Sequence, residues 1–240
     1  MYYTSLHSAT KIKVDQLKNN TEEISTKNHP MAFVRLEVVV FSIVNNGLCA
    51  LLAKRMEEPY SGQWALPGDS LRIDIDQTLY DGAQRVMQER LGIGPACLEQ
   101  LCAVGGAKRD PHAPWALSVV YLALVPAESV QVSAGKRIEV LEWREVEQAI
   151  VEPLAFDHAE LISRAVINLR EQVEGMVMPR GLLEDNFTLS ELQITCEQVI
   201  ERPLDKSSFR RKLSDRKLVE SVEGAMRGGS FRPAQLFRLK

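Results

Sequence analysis

Between Lys206 and Lys217 the chain carries six basic side chains, Lys206, Arg210, Arg211, Lys212, Arg216 and Lys217, against one acidic residue, Asp215. Arginine pairs bidentately with guanine edges, while hydroxyls and the amides at a helix start suit phosphate oxygens. Lys206, Ser207, Ser208, Arg210 and Arg211 therefore form a set that could hold DNA. Phe209 and Leu213 lie four apart and anchor one face of such a helix, which turns both arginines away from the anchor. The competing reading is a plain solvated face. A second candidate is the loop Arg227-Gly228-Gly229-Ser230-Phe231-Arg232, whose glycines permit close approach to a groove and whose arginines supply charge. An ordinary flexible hairpin loop is its alternative. The whole chain carries a net charge of −3, which argues against nucleic acid, but the field at a phosphate backbone is set by the local patch.

A different chemistry is offered by Arg55, Trp64, Arg72, Arg109 and Asp110, all read in or beside loops. Guanidinium groups suit pyrophosphate oxygens and an indole offers a stacking surface. Trp64 equally suits a core position, and Arg109-Asp110 equally suits a salt bridge on a turn.

These side chains need elements to position them. Val34 to Val44 and Leu48 to Met56 are rich in β-branched and apolar residues and flank Asn45-Asn46-Gly47, the signal of a tight hairpin. Gln77 to Leu91 places Leu79, Ala83, Val86, Met87 and Leu91 on one helical face. Leu98 to Val104, Ala116 to Val125 and Ile138 to Trp143 are further strands, so the first part of the chain reads as a mixed α/β sandwich. Phe156 to Val173 has helical periodicity with Asp157 available as N-cap, and suits a helix that bridges domains or pairs with its counterpart in a second subunit. Glu174 to Asn186, with Gly175, Pro179 and Gly181, marks a boundary. Thr188 to Glu191 is a capping box for a helix running to about Ile200. Asp205 or Ser207 caps a second helix through Leu213, and Leu218 to Val222 with Ala234 to Leu239 forms a two-stranded wing around the Gly224 to Pro233 loop. Helix, turn, helix and hairpin is the order of a winged helix-turn-helix. The expected domains are a flexible tail over 1–30, an effector-binding domain over 31–155, a linking helix over 156–180 and a DNA-binding domain over 181–240.

At 240 residues with 45% hydrophobic content, the chain has room for two ordinary globular domains. Cys49, Cys97, Cys102 and Cys196 show no C-x-x-C pairing, which points away from a zinc site or disulfide framework and fits a reducing cytoplasm. The first 30 residues lack the apolar run of a signal peptide, and no stretch reaches the length of a membrane span.

Trp64-Ala65-Leu66-Pro67-Gly68 leads into the helix ending at Gly92-Ile93, and the whole resembles a Nudix box, G-x5-E-x7-R-E-U-x-E-E-x-G-U with U aliphatic. In that box helical glutamates hold divalent cations against a pyrophosphate. Anchored on Gly92-Ile93, the arginine is Arg85, but the carboxylate positions read Gln77, Val86, Glu89 and Arg90, so Glu89 alone remains. Arg90 puts a permanent cation where a metal would sit. Asp69 stands where a second glycine is usual, and the stretch from Ser70 to Asp76 is two residues longer than the pattern allows. Arg85 and Glu89, four apart, are expected to form an intrahelical ion pair.

Together with Pro153 to His158, Asn186 to Leu192, Lys206 to Lys212 and Phe231 to Phe237, this box is similar to the Nudix-related transcriptional regulators of NAD metabolism, the NrtR family. The resemblance covers roughly residues 34 to 240. It implies a Nudix-like α/β/α sandwich followed by a winged helix, no catalytic residues, and no required metal or cofactor. It further implies a homodimeric cytoplasmic repressor, nucleoid-associated when bound, that holds a palindromic double-stranded DNA operator of NAD biosynthesis or salvage genes. ADP-ribose or a related nucleotide would be the effector, with Phe156 and His158 joining Arg55, Trp64, Arg72, Arg109 and Asp110 at the effector site. The rival readings are an active Nudix hydrolase of ADP-ribose-type substrates with an appended nucleic-acid module, and a protein-binding adaptor.

Overall fold

The computed structural model describes residues 31–94, 96–126, 138–228 and 233–240. The tail expected over 1–30 and the candidate DNA contact Arg232 lie outside the described residues.

The predicted hairpin is present. Strand β1 (Phe33–Val44) pairs antiparallel with β2 (Gly47–Arg55), and Asn45 and Asn46 both take positive φ, 51° and 65°, at the turn between them. Two positive-φ residues give the backbone twist that matches paired strands, and asparagine tolerates it. Two short strands without a clear alternation signal follow, β3 (Trp64–Ala65) on β2 and β4 (Gly68–Ser70) on β1. The sheet continues through β5 (Leu98–Gly106), β6 (Ala116–Leu124) and β7 (Ile138–Glu145), with β6 parallel to β1, β5 antiparallel to β6, and β7 on β2.

Alternation along β1 divides the interior. Leu36, Val38 and Val40 pack against helix α1 (Leu79–Leu91), whose Ala83, Val86, Met87 and Leu91 are buried. Helix α1 starts two residues later than the periodicity predicts, because Thr78 and Asp81 close a reciprocal capping box there. Gly92 ends it in the left-handed conformation. Val39 and Phe41 face the other way, toward a short helix α2 (Val146–Ala149) and helix α3 (His158–Glu174). Helices on both faces of the sheet make the predicted α/β/α sandwich.

The C-terminal elements follow the predicted order: α4 (Leu189–Ile200), α5 (Lys206–Asp215), β8 (Val219–Arg227) and β9 (Ala234–Leu239). Thr188 and Glu191 cap α4 reciprocally. Asp205, and not Ser207, caps α5 through the Ser208 amide at 2.8 Å. Strand β8 runs five residues beyond its expected end. A bulge between Ser221 and Met226 absorbs Gly224 at φ 70°, and the Gln235 amide donates to the Val222 and Ala225 carbonyls there.

The sandwich and winged helix share one core. Buried residues from Val39 and Phe41 through Leu161, Ile162 and Leu169 to Leu192, Phe209 and Leu213 form a single cluster. Gly181, at φ 103°, brings the connecting segment against β6; a Cβ there would stand 2.3 Å from the Leu124 carbonyl oxygen. Arg170 on α3 donates to the Val199 carbonyl at 3.0 Å and pairs with Glu147 and Glu201, both at 2.9 Å, which ties α2, α3 and the end of α4 together.

Candidate functional site

Where the box pattern calls for metal-binding carboxylates, the structure holds an arginine and aspartate lattice. Arg85 forms a fork-on-fork pair with Asp76, two bonds of 2.8 Å, and reaches Asp69 at 2.9 Å and the Ser70 carbonyl at 3.0 Å. Arg90 meets the same Asp69 oxygen at 2.8 Å. Burial opposes ionisation of Asp69, but Arg90 and Arg85 outweigh it and hold its carboxyl below the usual range. The expected Arg85–Glu89 contact is present only at 3.9 Å, since Arg85 swings toward the two aspartates. Val86 is fully buried in the α1 core. Among the described residues no group of three or more histidine, cysteine, aspartate or glutamate side chains is disposed to hold a metal ion. The divalent cations that the Nudix fold implies do not fit here, because the available carboxylates are spent on guanidinium groups.

Beside this lattice lies a cleft of about 260 Å³, bordered by Arg35, Arg55, Gly68, Asp69, Arg90 and Asp110. Phe156, at φ 56°, borders a separate cavity of about 580 Å³ with Tyr60, Arg109 and Asp157; the guanidinium of Arg35 lies 5.3 Å and that of Arg55 5.1 Å from its ring centroid, with Tyr60 edge-on at 4.8 Å. A left-handed phenylalanine costs about 1–3 kcal/mol, which the two cation–π contacts and the Tyr60 contact help to offset. Sharing the neighbours Arg35 and His158 with the Phe156 ring is Glu37, 1% exposed, facing α3 from β1. Arg109 donates to it at 2.9 Å, His158 Nε2 stands 3.3 Å and Arg35 Nε 3.5 Å away. Burial would raise the Glu37 carboxyl, but His158, Arg109 and Arg35 together hold it well below the usual carboxylate range. His158 Nδ1 accepts the Leu66 amide at 2.9 Å, which fixes the ring with its Nε2 near Glu37 Oε1 but outside hydrogen-bond geometry. Asp157 does not cap α3; both its oxygens accept from Arg109 at 2.8 Å.

A larger cavity, about 800 Å³, opens between β6 and the wing beside Leu124, Leu183, Phe187 and Leu239. No candidate effector residue borders it.

On the opposite side of the shared core, α5 buries Phe209 and Leu213 and exposes Lys206, Ser207, Arg210, Arg211 and Ser214. Lys206, Arg210 and Arg211 make no ion pair among the described residues. Arg227 is different. It donates to Glu191 at 2.8 Å, Glu184 at 2.8 Å and the Asn186 carbonyl at 3.0 Å, bracing the wing against the start of α4.

Comparison with known proteins agrees with this architecture. Residues 34–165 match the NUDIX domain model and residues 179–239 the NrtR DNA-binding winged helix domain model. The ADPR responsive transcriptional repressor NtrR of Acinetobacter baylyi is 35% identical over 88% of this chain and 83% of its own length. The chain belongs to the NrtR family. Shewanella oneidensis NrtR in complex with a 27mer DNA superposes with a TM-score of 0.75 at 31% identity, covering 86% of this chain and 93% of that one. The NUDIX domain of the same Shewanella protein, complexed with ADP ribose, matches with a TM-score of 0.55 at 29% identity over 65% of this chain and 98% of its own.

In this NrtR-family chain the predicted site residues separate. Arg55 and Asp110 border the cleft; Phe156 and Arg109, with Asp157, line the neighbouring cavity, and Arg109 and His158 belong to the Glu37 network. Trp64 and Arg72 do not reach the cleft. Trp64 packs on the core beneath Arg144, 5.4 Å from its ring, and Arg72 lies on the outer rim 3.8 Å from Glu89. Arg227, predicted as a DNA contact, is held in the brace on α4. Sequence reasoning passed over Arg35, Glu37 and Asp76. The legible signal was two charges at alternating positions, Arg35 and Glu37, inside a β-branched strand, where a charge must find partners on one face.

Proposed function

We propose that this chain is a DNA-binding transcriptional repressor whose Nudix-fold cleft binds ADP-ribose or a closely related NAD-derived nucleotide without hydrolysing it. The observation that carries this reading is the coupling of two surfaces through one core. The segment Phe156 to His158 leads into α3 and touches the cleft arginines Arg35 and Arg55 through the Phe156 ring, and α3 is tied by Arg170 to α4, which supports the α5 face bearing Arg210 and Arg211. The family relatives support both ends, since the Acinetobacter protein is named as ADPR responsive and the Shewanella protein is described with DNA and, as its NUDIX domain, with ADP ribose.

In this mechanism α5 enters the major groove. Arg210 and Arg211 meet base edges or phosphates, with Lys206, Ser207 and Ser208 at the helix start on the backbone. Two copies of the chain present two such helices to a palindromic operator, at genes of NAD biosynthesis or salvage in the cytoplasm. Nucleotide in the cleft binds Arg55 and Asp110, and its binding is relayed to Phe156 by the guanidinium groups of Arg35 and Arg55 against the ring. Through His158, Arg109 and Asp157 it changes the set of α3 and so the spacing of the paired α5 helices. The effector must bind the two arrangements with different affinity for any of this to occur.

Operator binding measured with and without ADP-ribose tests the reading; equal affinity in both conditions removes the effector from it. Incubation with ADP-ribose and magnesium tests the non-catalytic part, and AMP release would restore the hydrolase reading.

A further inference from the structure

We infer that the cleft holds the diphosphate of its nucleotide through the protein's own cationic side chains, chiefly its arginines, so that binding requires no divalent cation. This deepens the nucleotide reading above and rests on it.

Three arginines border the cleft, Arg35, Arg55 and Arg90, together with Lys54. Arg90 occupies a box position where a metal-binding glutamate belongs, and it is anchored by Asp69 at 2.8 Å, which also holds Arg85. The lattice thus brings a fixed cation to the place of a mobile one. Its orientation is set from both sides, because Arg85 is itself clamped by Asp76. Arg35 and Arg55 both contact the Phe156 ring, 5.3 and 5.1 Å from its centroid, and Arg55 is held by its Nε and Nη2 on the carbonyls of Pro59 and Glu57, at 2.8 and 3.3 Å, which leaves Nη1 as a donor. Burial and the neighbouring Arg35 both work against the Arg55 cation, a repulsion that an anion between them would relieve. Planar, bidentate donors are the side chains best matched to phosphate oxygens. Asp110, buried at the same rim with one oxygen accepting the His112 amide at 2.8 Å, repels the anion and suits a ligand hydroxyl instead.

The test is calorimetric titration of ADP-ribose into the full chain, once in EDTA and once in excess magnesium. The expected result is the same affinity within about twofold. Binding that magnesium strengthens tenfold or more overturns the inference and leaves the nucleotide reading intact. Absence of binding in both buffers overturns the two together. Arg55→Gln, at a half-exposed position, and Arg90→Gln, with thermal unfolding followed alongside, should each weaken metal-free binding by roughly tenfold or more, and Arg90→Lys should recover part of the loss. Wild-type affinity in both glutamine variants overturns the assignment.

Discussion

Replacing Arg210 and Arg211 together by glutamine asks whether α5 is the DNA-reading surface. Glutamine matches arginine in helix propensity, and Phe209 and Leu213, which anchor the helix, are untouched. Neither arginine pairs with another described residue, so folding stability should move by less than about 0.5 kcal/mol. If both contact phosphates, each removes about 0.9 from the slope of log affinity against log salt, roughly 1.8 per protomer and about 3.6 for a dimer on two half-sites. Between 50 and 200 mM salt, typical of such titrations, the deficit of the variant should then shrink by about tenfold per protomer. Fluorescence anisotropy of a labelled duplex from the promoter next to the chain's own gene, titrated across that salt range, reads affinity and slope together. A guanine contact would show as a loss of about 1–3 kcal/mol with relaxed preference at one base and little change of slope. Unchanged affinity and unchanged slope would refute the placement of DNA on α5 and return the adaptor reading.

Glu37→Gln leaves Arg109 and Arg35 without the buried carboxylate and should cost about 3–5 kcal/mol, a fall of roughly 6–20 °C in Tm for a chain of this size. Because the folded carboxyl lies below its unfolded value, this stabilisation is present above about pH 4.3 and lost as pH falls; thermal unfolding should show the gap between wild type and variant narrowing in acid, and a constant gap would contradict the burial argument. Arg170→Met keeps the aliphatic stem but cuts the tie from α3 to Val199 and Glu201; ADP-ribose binding and DNA binding should survive separately while the effect of one on the other, typically about 1–3 kcal/mol, falls by at least half. An undiminished effect would remove Arg170 from the route. Phe209→Ala should destabilise by about 3–5 kcal/mol, read by denaturant unfolding, since its ring joins α5 to the shared core.

The local part of this protein was written in the sequence. Alternation, helical periodicity, the Asn45-Asn46 turn, the Thr188 capping box and the cationic run after Asp205 depend on neighbours within a few positions, and each appears where its pattern lies. The missing carboxylates at Gln77, Val86 and Arg90 were equally legible, because a motif is read position by position. What those residues do instead was decided by tertiary approach. Asp69 meets Arg90, Asp157 leaves its capping position for Arg109, Glu37 finds Arg109 72 residues away, and Arg227 turns from the wing to Glu184 and Glu191. A charged side chain takes the partner that burial brings within hydrogen-bond distance, and one-dimensional spacing does not encode that distance once the sheet has folded strands over one another. The Phe156 ring contacts two guanidinium groups, those of Arg35 and Arg55, only because β1, β2 and the start of α3 meet there.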